Sequence, residues 1–187
     1  MRIIAGLHKN RLVKSTIRGK TIINLRPTTA RIRESVFNII HSYLETQELS
    51  TEECTFLDLC CGTGMVGIEA LSRGFAHACF VDYNRNCLQL VMENIVHIEQ
   101  ERYDGQISKI EKLSFSGERT FDIIFFDPPY KNTKMSQMLS NIKNFMRKNT
   151  LLILEISKDY TVTSTNEFYV LFLKKYGHCQ LIGLRKL

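Results

Sequence analysis

Apolar residues recur along the chain in two distinct rhythms. Over residues 28–44 they fall at helical spacing, with Ile32, Val36, Ile39, Ile40 and Tyr43 on one face. Pro27 stands just before them, so the pattern predicts an amphipathic helix. After the polar stretch 45–53, short apolar runs alternate with helical stretches. Strands are expected at 55–59, 78–81, 106–110, 121–126 and 151–156, and helices at 65–73, 85–98 and 134–146. Alternation of this kind predicts a parallel sheet with helices on both faces. The tail breaks the rhythm. Residues 168–174 and 180–184 read as two strands around Tyr176-Gly177-His178 with no helix between them, which predicts a hairpin antiparallel to the rest. The first 25 residues read as two or three short extended pieces turning at Gly6 and Gly19.

Charge divides the chain where the patterning does. Residues 1–34 hold nine basic side chains and one acid, a net +8, whereas the remainder holds 16 basic and 18 acidic residues, a net −2. The whole excess of +6 therefore lies in the N-terminal fifth. A basic arm on a near-neutral body points to a polyanionic partner. With few aromatics in the arm, contact with phosphates is a more natural role for it than base stacking. The division expected is a basic extension over 1–45 and a main domain over 46–187. No apolar run approaches the roughly 18 residues of a membrane span, and the N-terminus lacks the apolar stretch of a signal peptide. A cytoplasmic protein is expected. The six cysteines form no C-x-x-C pair and no histidine cluster accompanies them, so reduced buried thiols are expected rather than a zinc site.

Two constellations carry chemistry. In the first, Asp58-Leu59-Cys60-Cys61-Gly62-Thr63-Gly64 joins the first strand of the alternating region to its helix, and Gly62, Gly64 and Gly67 fit G-x-G-x-x-G. Asp82 follows 20 residues after Gly62 at the end of the next strand, where a carboxylate can accept both hydroxyls of a ribose. A pyrophosphate would be repelled by Asp58, whereas the zwitterionic methionine end of S-adenosylmethionine offers it an ammonium. A nicotinamide-dependent oxidoreductase also needs a substrate domain for which the chain has little room, and that reading leaves the second constellation unexplained.

The second is Asp127-Pro128-Pro129-Tyr130, directly after the apolar strand 121–126 and hence at the carboxyl edge of the sheet, where ligands bind. An aromatic amine is a poor nucleophile because its lone pair is delocalised into the ring. Acceptors on both N–H groups, the Asp127 carboxylate and the Pro128 carbonyl, would pull the nitrogen toward a tetrahedral shape and free that pair. The prolines fix the turn and offer no competing N–H. Tyr130 can stack on the base. A non-catalytic RNA-binding protein on the same scaffold would have no need of Asp58, Asp82 and Asp127 together.

Asp/Asn-Pro-Pro-Tyr/Phe is the signature of amino-methyltransferases, and the chain as a whole resembles the RsmD family of bacterial 16S rRNA guanine-N2 methyltransferases. The resemblance is carried by Met1-Arg2-Ile3-Ile4-Ala5-Gly6, Arg26-Pro27-Thr28-Thr29, Arg31-Ile32-Arg33-Glu34, Phe37-Asn38, the glycine loop, Gly67-Ile68-Glu69-Ala70-Leu71-Ser72-Arg73-Gly74, the stretch 121–130, Glu155 and Tyr176-Gly177. It implies a Rossmann-like class I methyltransferase fold: a seven-stranded, mainly parallel sheet, an antiparallel C-terminal hairpin and a short basic N-terminal extension. It implies S-adenosyl-L-methionine as cofactor, held by Asp58, Cys60, Gly62, Gly64 and Asp82. Asp127, Pro128, Pro129 and Tyr130 would hold the guanine amine. Small-subunit (16S) rRNA, naked or in an assembling subunit, would be met by Arg2, Arg11, Arg26, Thr28, Arg31 and Arg33. A monomer without metal is expected. Adenine-N6 methylation of DNA or RNA is the alternative, although such DNA enzymes usually have a target-recognition domain and no segment here is long enough for one. The chain departs from the family's usual residues at Asn10 and at Cys60-Cys61. Ser108-Lys109-Ile110-Glu111 stands where many relatives have an acid or amide that contacts adenine, and that contact is left unassigned.

Overall fold

The computed structural model describes residues 1–17, 20–21, 28–129, 134–161 and 167–187. In chain order its elements are β1 (Thr16–Ile17), β2 (Lys20–Thr21), α1 (Ala30–Thr46), β3 (Thr55–Leu59), α2 (Met65–Ser72), β4 (His77–Asp82), α3 (Arg85–Ile95), β5 (Tyr103–Ile107), β6 (Phe121–Phe126), α4 (Met135–Ile142), β7 (Met146–Ser157), β8 (Phe168–Tyr176) and β9 (Cys179–Lys186). The last nine-residue and eight-residue strands form the expected antiparallel hairpin. β1 and β2 make a separate two-stranded pair.

The main sheet has seven strands in the order β5-β4-β3-β6-β7-β9-β8. β5 through β7 run parallel, and β9 enters antiparallel against β7. The order reverses at β3, which lies between β4 and β6. Ligands of open α/β sheets bind at the carboxyl ends of strands at such a switch point. The central strands are apolar on both faces, as a sheet covered on both sides requires. Phe56, Phe80, Phe125 and Ile153 face α1, α2 and α3, whereas Leu57, Val81, Ile124 and Leu154 face α4.

Two elements depart from their predicted bounds. The third strand of the parallel set begins at Tyr103 rather than 106, because Asp104 and Gly105 disguise it. Both have tertiary reasons to be there. Asp104 accepts two hydrogen bonds from Arg119, at 2.5 and 2.9 Å, and a Cβ on Gly105 would sit 2.9 Å from Met92 Cε. β7 starts at Met146, five residues before its apolar run, as the exposed Arg147-Lys148-Asn149 extends the strand beyond the core.

Residues 1–13 double back on themselves through an isolated bridge between Arg2 and Leu12, with Ile3 N–H to Arg11 O at 3.1 Å and Val13 N–H to Met1 O at 2.8 Å. This loop is clamped onto α2. The fully buried Glu69 accepts from Ile4 N–H and Ala5 N–H, each at 2.9 Å, and Leu7 N–H reaches Ser72 O at 2.7 Å. Gly6 has φ +83°, and a Cβ there would fall 1.8 Å from Ser72 O, so the turn admits only glycine. Ile3, Val13 and the apolar face of α1 join the same core as the sheet.

Candidate active site

The glycine loop leaves β3 at Leu59, which pairs with Val81 on one side and Phe126 on the other. That register brings Cys60, Asp82 and Asp127 to one level at the carboxyl edge. Two backbone bonds hold the level: Cys61 N–H to Val81 O at 3.1 Å and Asp127 N–H to Leu59 O at 3.4 Å. The loop then turns through left-handed conformations at Cys60 (φ +58°), Gly62 (φ +54°) and Gly64 (φ +73°). Cys60 has a Cβ and adopts this region at a cost, as side chains often do where a site dictates the backbone. Gly64 opens α2, and a Cβ on it would lie 2.6 Å from Val91 Cγ2. Gly67, the third glycine of the motif, has a packing role. A Cβ on it would be 2.4 Å from Phe80 Cε1, and its N–H donates to Asp58 at 2.9 Å.

The three acids have different surroundings. Asp58 lies buried beneath the loop, and burial pushes its carboxyl up to about 8 against the backbone hydrogen bond from Gly67. Asp82 is also raised by burial. Its two oxygens accept from Gly62 N–H at 3.0 Å and Asn84 N–H at 2.8 Å. Each carboxylate oxygen has a second lone pair, so both retain capacity for a ligand hydroxyl. Asp127 is half-buried, Pro128 buried and Pro129 exposed. Tyr130, expected to stack on the base, lies outside the described residues, as does Arg26.

Cys60 reports the electrostatics of the whole edge. Its thiol is held well above the usual range by burial and by the carboxylates of Asp82, Asp127, Asp58 and Glu111. Four acids around one loop make a poor cradle for a pyrophosphate. They suit a ligand with a sulfonium and an ammonium. By this test the residues fit S-adenosylmethionine, and the thiol itself stays protonated and unreactive.

Sequence reasoning did not find several contributors. Ser108 N–H donates to Asp82 O at 3.0 Å, which brings the chain after β5 to the ribose acid. Glu111 then pairs with Lys134 at 3.4 Å. Neither residue belongs to a motif. Asn84 does give a signal, as an N-cap directly before a helical stretch, with its side chain accepting from Asn86 N–H at 3.0 Å.

Among the residues expected to meet RNA, Arg2, Arg11 and Arg31 are exposed, and Thr28 is half-buried. Arg33 requires a correction. It is only 3% exposed, and its guanidinium donates to Thr28 O at 2.8 Å and Arg2 O at 3.0 Å, so it joins the arm to α1 and is not available to a phosphate. The helical phase explains this: Arg33 shares a stripe with the buried Phe37, Ile40 and Leu44 at spacings of four, seven and eleven. Lys9 and the sequence-selected Arg11 are exposed cations on the clamped loop. Among the described residues no three His, Cys, Asp or Glu side chains are grouped to hold a metal ion, and no helix is long and apolar enough to cross a membrane.

Comparison with known proteins places this geometry. Residues 1–184 match the family model described as conserved hypothetical protein 95. The chain is 36% identical to the Bacillus subtilis protein YlbH over 149 residues, covering 78% of this chain and 75% of YlbH. It is 29% identical over 165 residues to ribosomal RNA small subunit methyltransferase D of Buchnera aphidicola, covering 86% and 80% of the two chains. Among solved structures, yhhF of Escherichia coli superposes with a TM-score of 0.82 at 22% identity, over 100% of this chain and 97% of that one.

Proposed function

Since the chain belongs to the RsmD family, whose model spans residues 1–184, we propose that it transfers a methyl group from S-adenosylmethionine to the exocyclic N2 of a guanine in small-subunit rRNA. The observation that carries this reading is the placement of Asp127 beside the Asp58–Asp82 cofactor edge, with its backbone tied to Leu59.

When bound, the cofactor supplies an electrophilic methyl group on a sulfonium. The protein's own residues do the rest. Asp58 and the turn of Gly62 and Gly64 receive the methionine end, and Asp82 the ribose hydroxyls. The Asp127 carboxylate and the Pro128 carbonyl accept the two N–H bonds of the guanine amine and localise its lone pair toward the incoming carbon. After transfer the nitrogen holds one proton too many, and the Asp127 carboxylate is the acceptor in reach. Positioning supplies most of the acceleration, since the nucleophile and methyl carbon meet in line only when both are held. Tyr130 covers the base face. Arg2, Arg11 and Arg31 meet phosphates of the rRNA, whose many charges reward contacts outside the reacting nucleotide. Thr28 and Arg26 belong to the same arm.

Asp127→Ala tests the assignment. It is expected to lower methyl transfer by at least about 100-fold, the order lost when a single polarising or proton-accepting group is removed, with cofactor affinity within about twofold of the parent. Turnover near the parent value would remove Asp127 from the mechanism.

A further inference from the structure

The loop after β5 and the helix after the Asp-Pro-Pro turn are joined at three points. A short 3-10 turn, Ile110–Lys112, follows β5. Asn141 of α4 donates through Nδ2 to Ile110 O at 2.7 Å and to Leu113 O at 2.9 Å, so one amide ties both ends of that turn. At the other end of α4, Lys134 Nζ lies 3.4 Å from Glu111 Oε1. Between the two ties, Met135, Met138 and Ile142 pack in one apolar cluster with Ile110 and Leu113.

Each half of this unit reaches the active site. The loop does so through Ser108 N–H on Asp82 O, and Glu111 acts electrostatically on Cys60. Lys134 is the first described residue after Pro129, and Asp127 is tied to Leu59 O. A circuit therefore runs from the ribose acid through Ser108, Glu111 and Lys134 to the Asp-Pro-Pro turn, and back across β6 and β3. Short-range ties between two ligand-bearing segments mean that fixing one restricts the other.

We propose that Glu111, Lys134 and Asn141 form a strut that couples the two ligand sites, so that cofactor and acceptor guanine bind with positive cooperativity. The proposal rests on the methyltransferase reading. The three are positioning residues: they act by holding the loop that borders the cofactor against the helix that continues from the amine-binding turn. Glu111 is committed to Lys134, so its part is to hold that loop in place.

The experiment is fluorescence anisotropy of a labelled small-subunit rRNA transcript, with and without saturating S-adenosylhomocysteine as the unreactive cofactor form. In the parent protein the nucleoside is expected to tighten RNA binding several-fold, and by reciprocity RNA tightens nucleoside binding by the same factor. Glu111→Gln and Lys134→Gln should each reduce that factor about two- to fivefold, the range for a partly exposed ion pair. Their melting temperatures and their nucleoside affinity without RNA should stay near the parent values. The charge exchange, Glu111→Lys with Lys134→Glu, should restore the coupling. A parent protein that binds both ligands without coupling overturns the proposal, as do single variants with the parent's coupling factor. A parent protein that binds no S-adenosylhomocysteine overturns instead the reading on which it rests.

Discussion

Asp58 shows how a single residue can serve a ligand at the expense of the fold. Its buried carboxyl titrates at about 8, against 3.8 in an unfolded chain. The folded protein therefore holds a proton that the unfolded chain releases. Below pH 4 both states are protonated and nothing is lost. As pH rises from about 4 to about 8, the unfolded state ionises first and stability falls. Asp58→Asn removes this loss. The variant is expected to melt above the parent by a margin that widens from pH 5 to pH 8, reaching at least about 2 kcal/mol, or roughly 4–8 °C. A cationic amino group bound beside Asp58 lowers its pKa again. Cofactor affinity of the parent should thus rise with pH up to about 8, with release of a proton, while Asp58→Asn should leave binding weak and flat. Melting curves and calorimetry at several pH values check both. A gap that does not widen with pH would contradict the assignment. The sequence pointed to Asp58 by its place before the glycines. It could not give the burial, which depends on α2 lying over the strand end.

At the scale of elements, the alternating apolar runs announced the sheet, its parallel core and the antiparallel hairpin, because strands buried on both faces read as continuous apolar stretches. β5 was misplaced because its residues Asp104 and Gly105 answer to neighbours distant in sequence, Arg119 and Met92. The clamp between the N-terminal loop and α2 was hidden for the same reason. Glu69 reads as an ordinary helical acid until Ile4 and Ala5 arrive at its carboxylate. Arg33 was hidden by its charge, although its stripe with Phe37, Ile40 and Leu44 gave the signal. From these contacts Arg33→Ala is expected to cost on the order of 2–4 kcal/mol of stability, through two lost hydrogen bonds and the orphaned carbonyls of Thr28 and Arg2. The exposed Arg31→Ala should stay within about 0.5 kcal/mol of the parent. Equal stabilities in denaturant melts would contradict the structural role of Arg33.

For the molecule as a whole, the charge asymmetry and the sheet edge complement each other. The arm that holds the positive excess is fastened into the core through Ile3, Val13, Glu69 and Arg33, so its exposed cations are carried on a fixed surface. The acids gather instead at the carboxyl edge, where Asp58, Asp82, Asp127 and Glu111 surround the glycine loop. A polyanion bound by the arm is kept from that edge by repulsion unless a neutral base is turned into it, an arrangement suited to methylating a base rather than a phosphate. Composition made the partition visible along the chain, and the motifs located the edge. The contacts around Tyr130 and Arg26 lie outside the described residues.

The most direct test is mass spectrometry of nucleosides from small-subunit rRNA of cells lacking this protein, before and after incubation with the protein and S-adenosylmethionine. A gain of N2-methylguanosine, absent with Asp127→Ala, is the predicted result. A gain of N6-methyladenosine in its place, or of no methylated base while the cofactor binds, would contradict it.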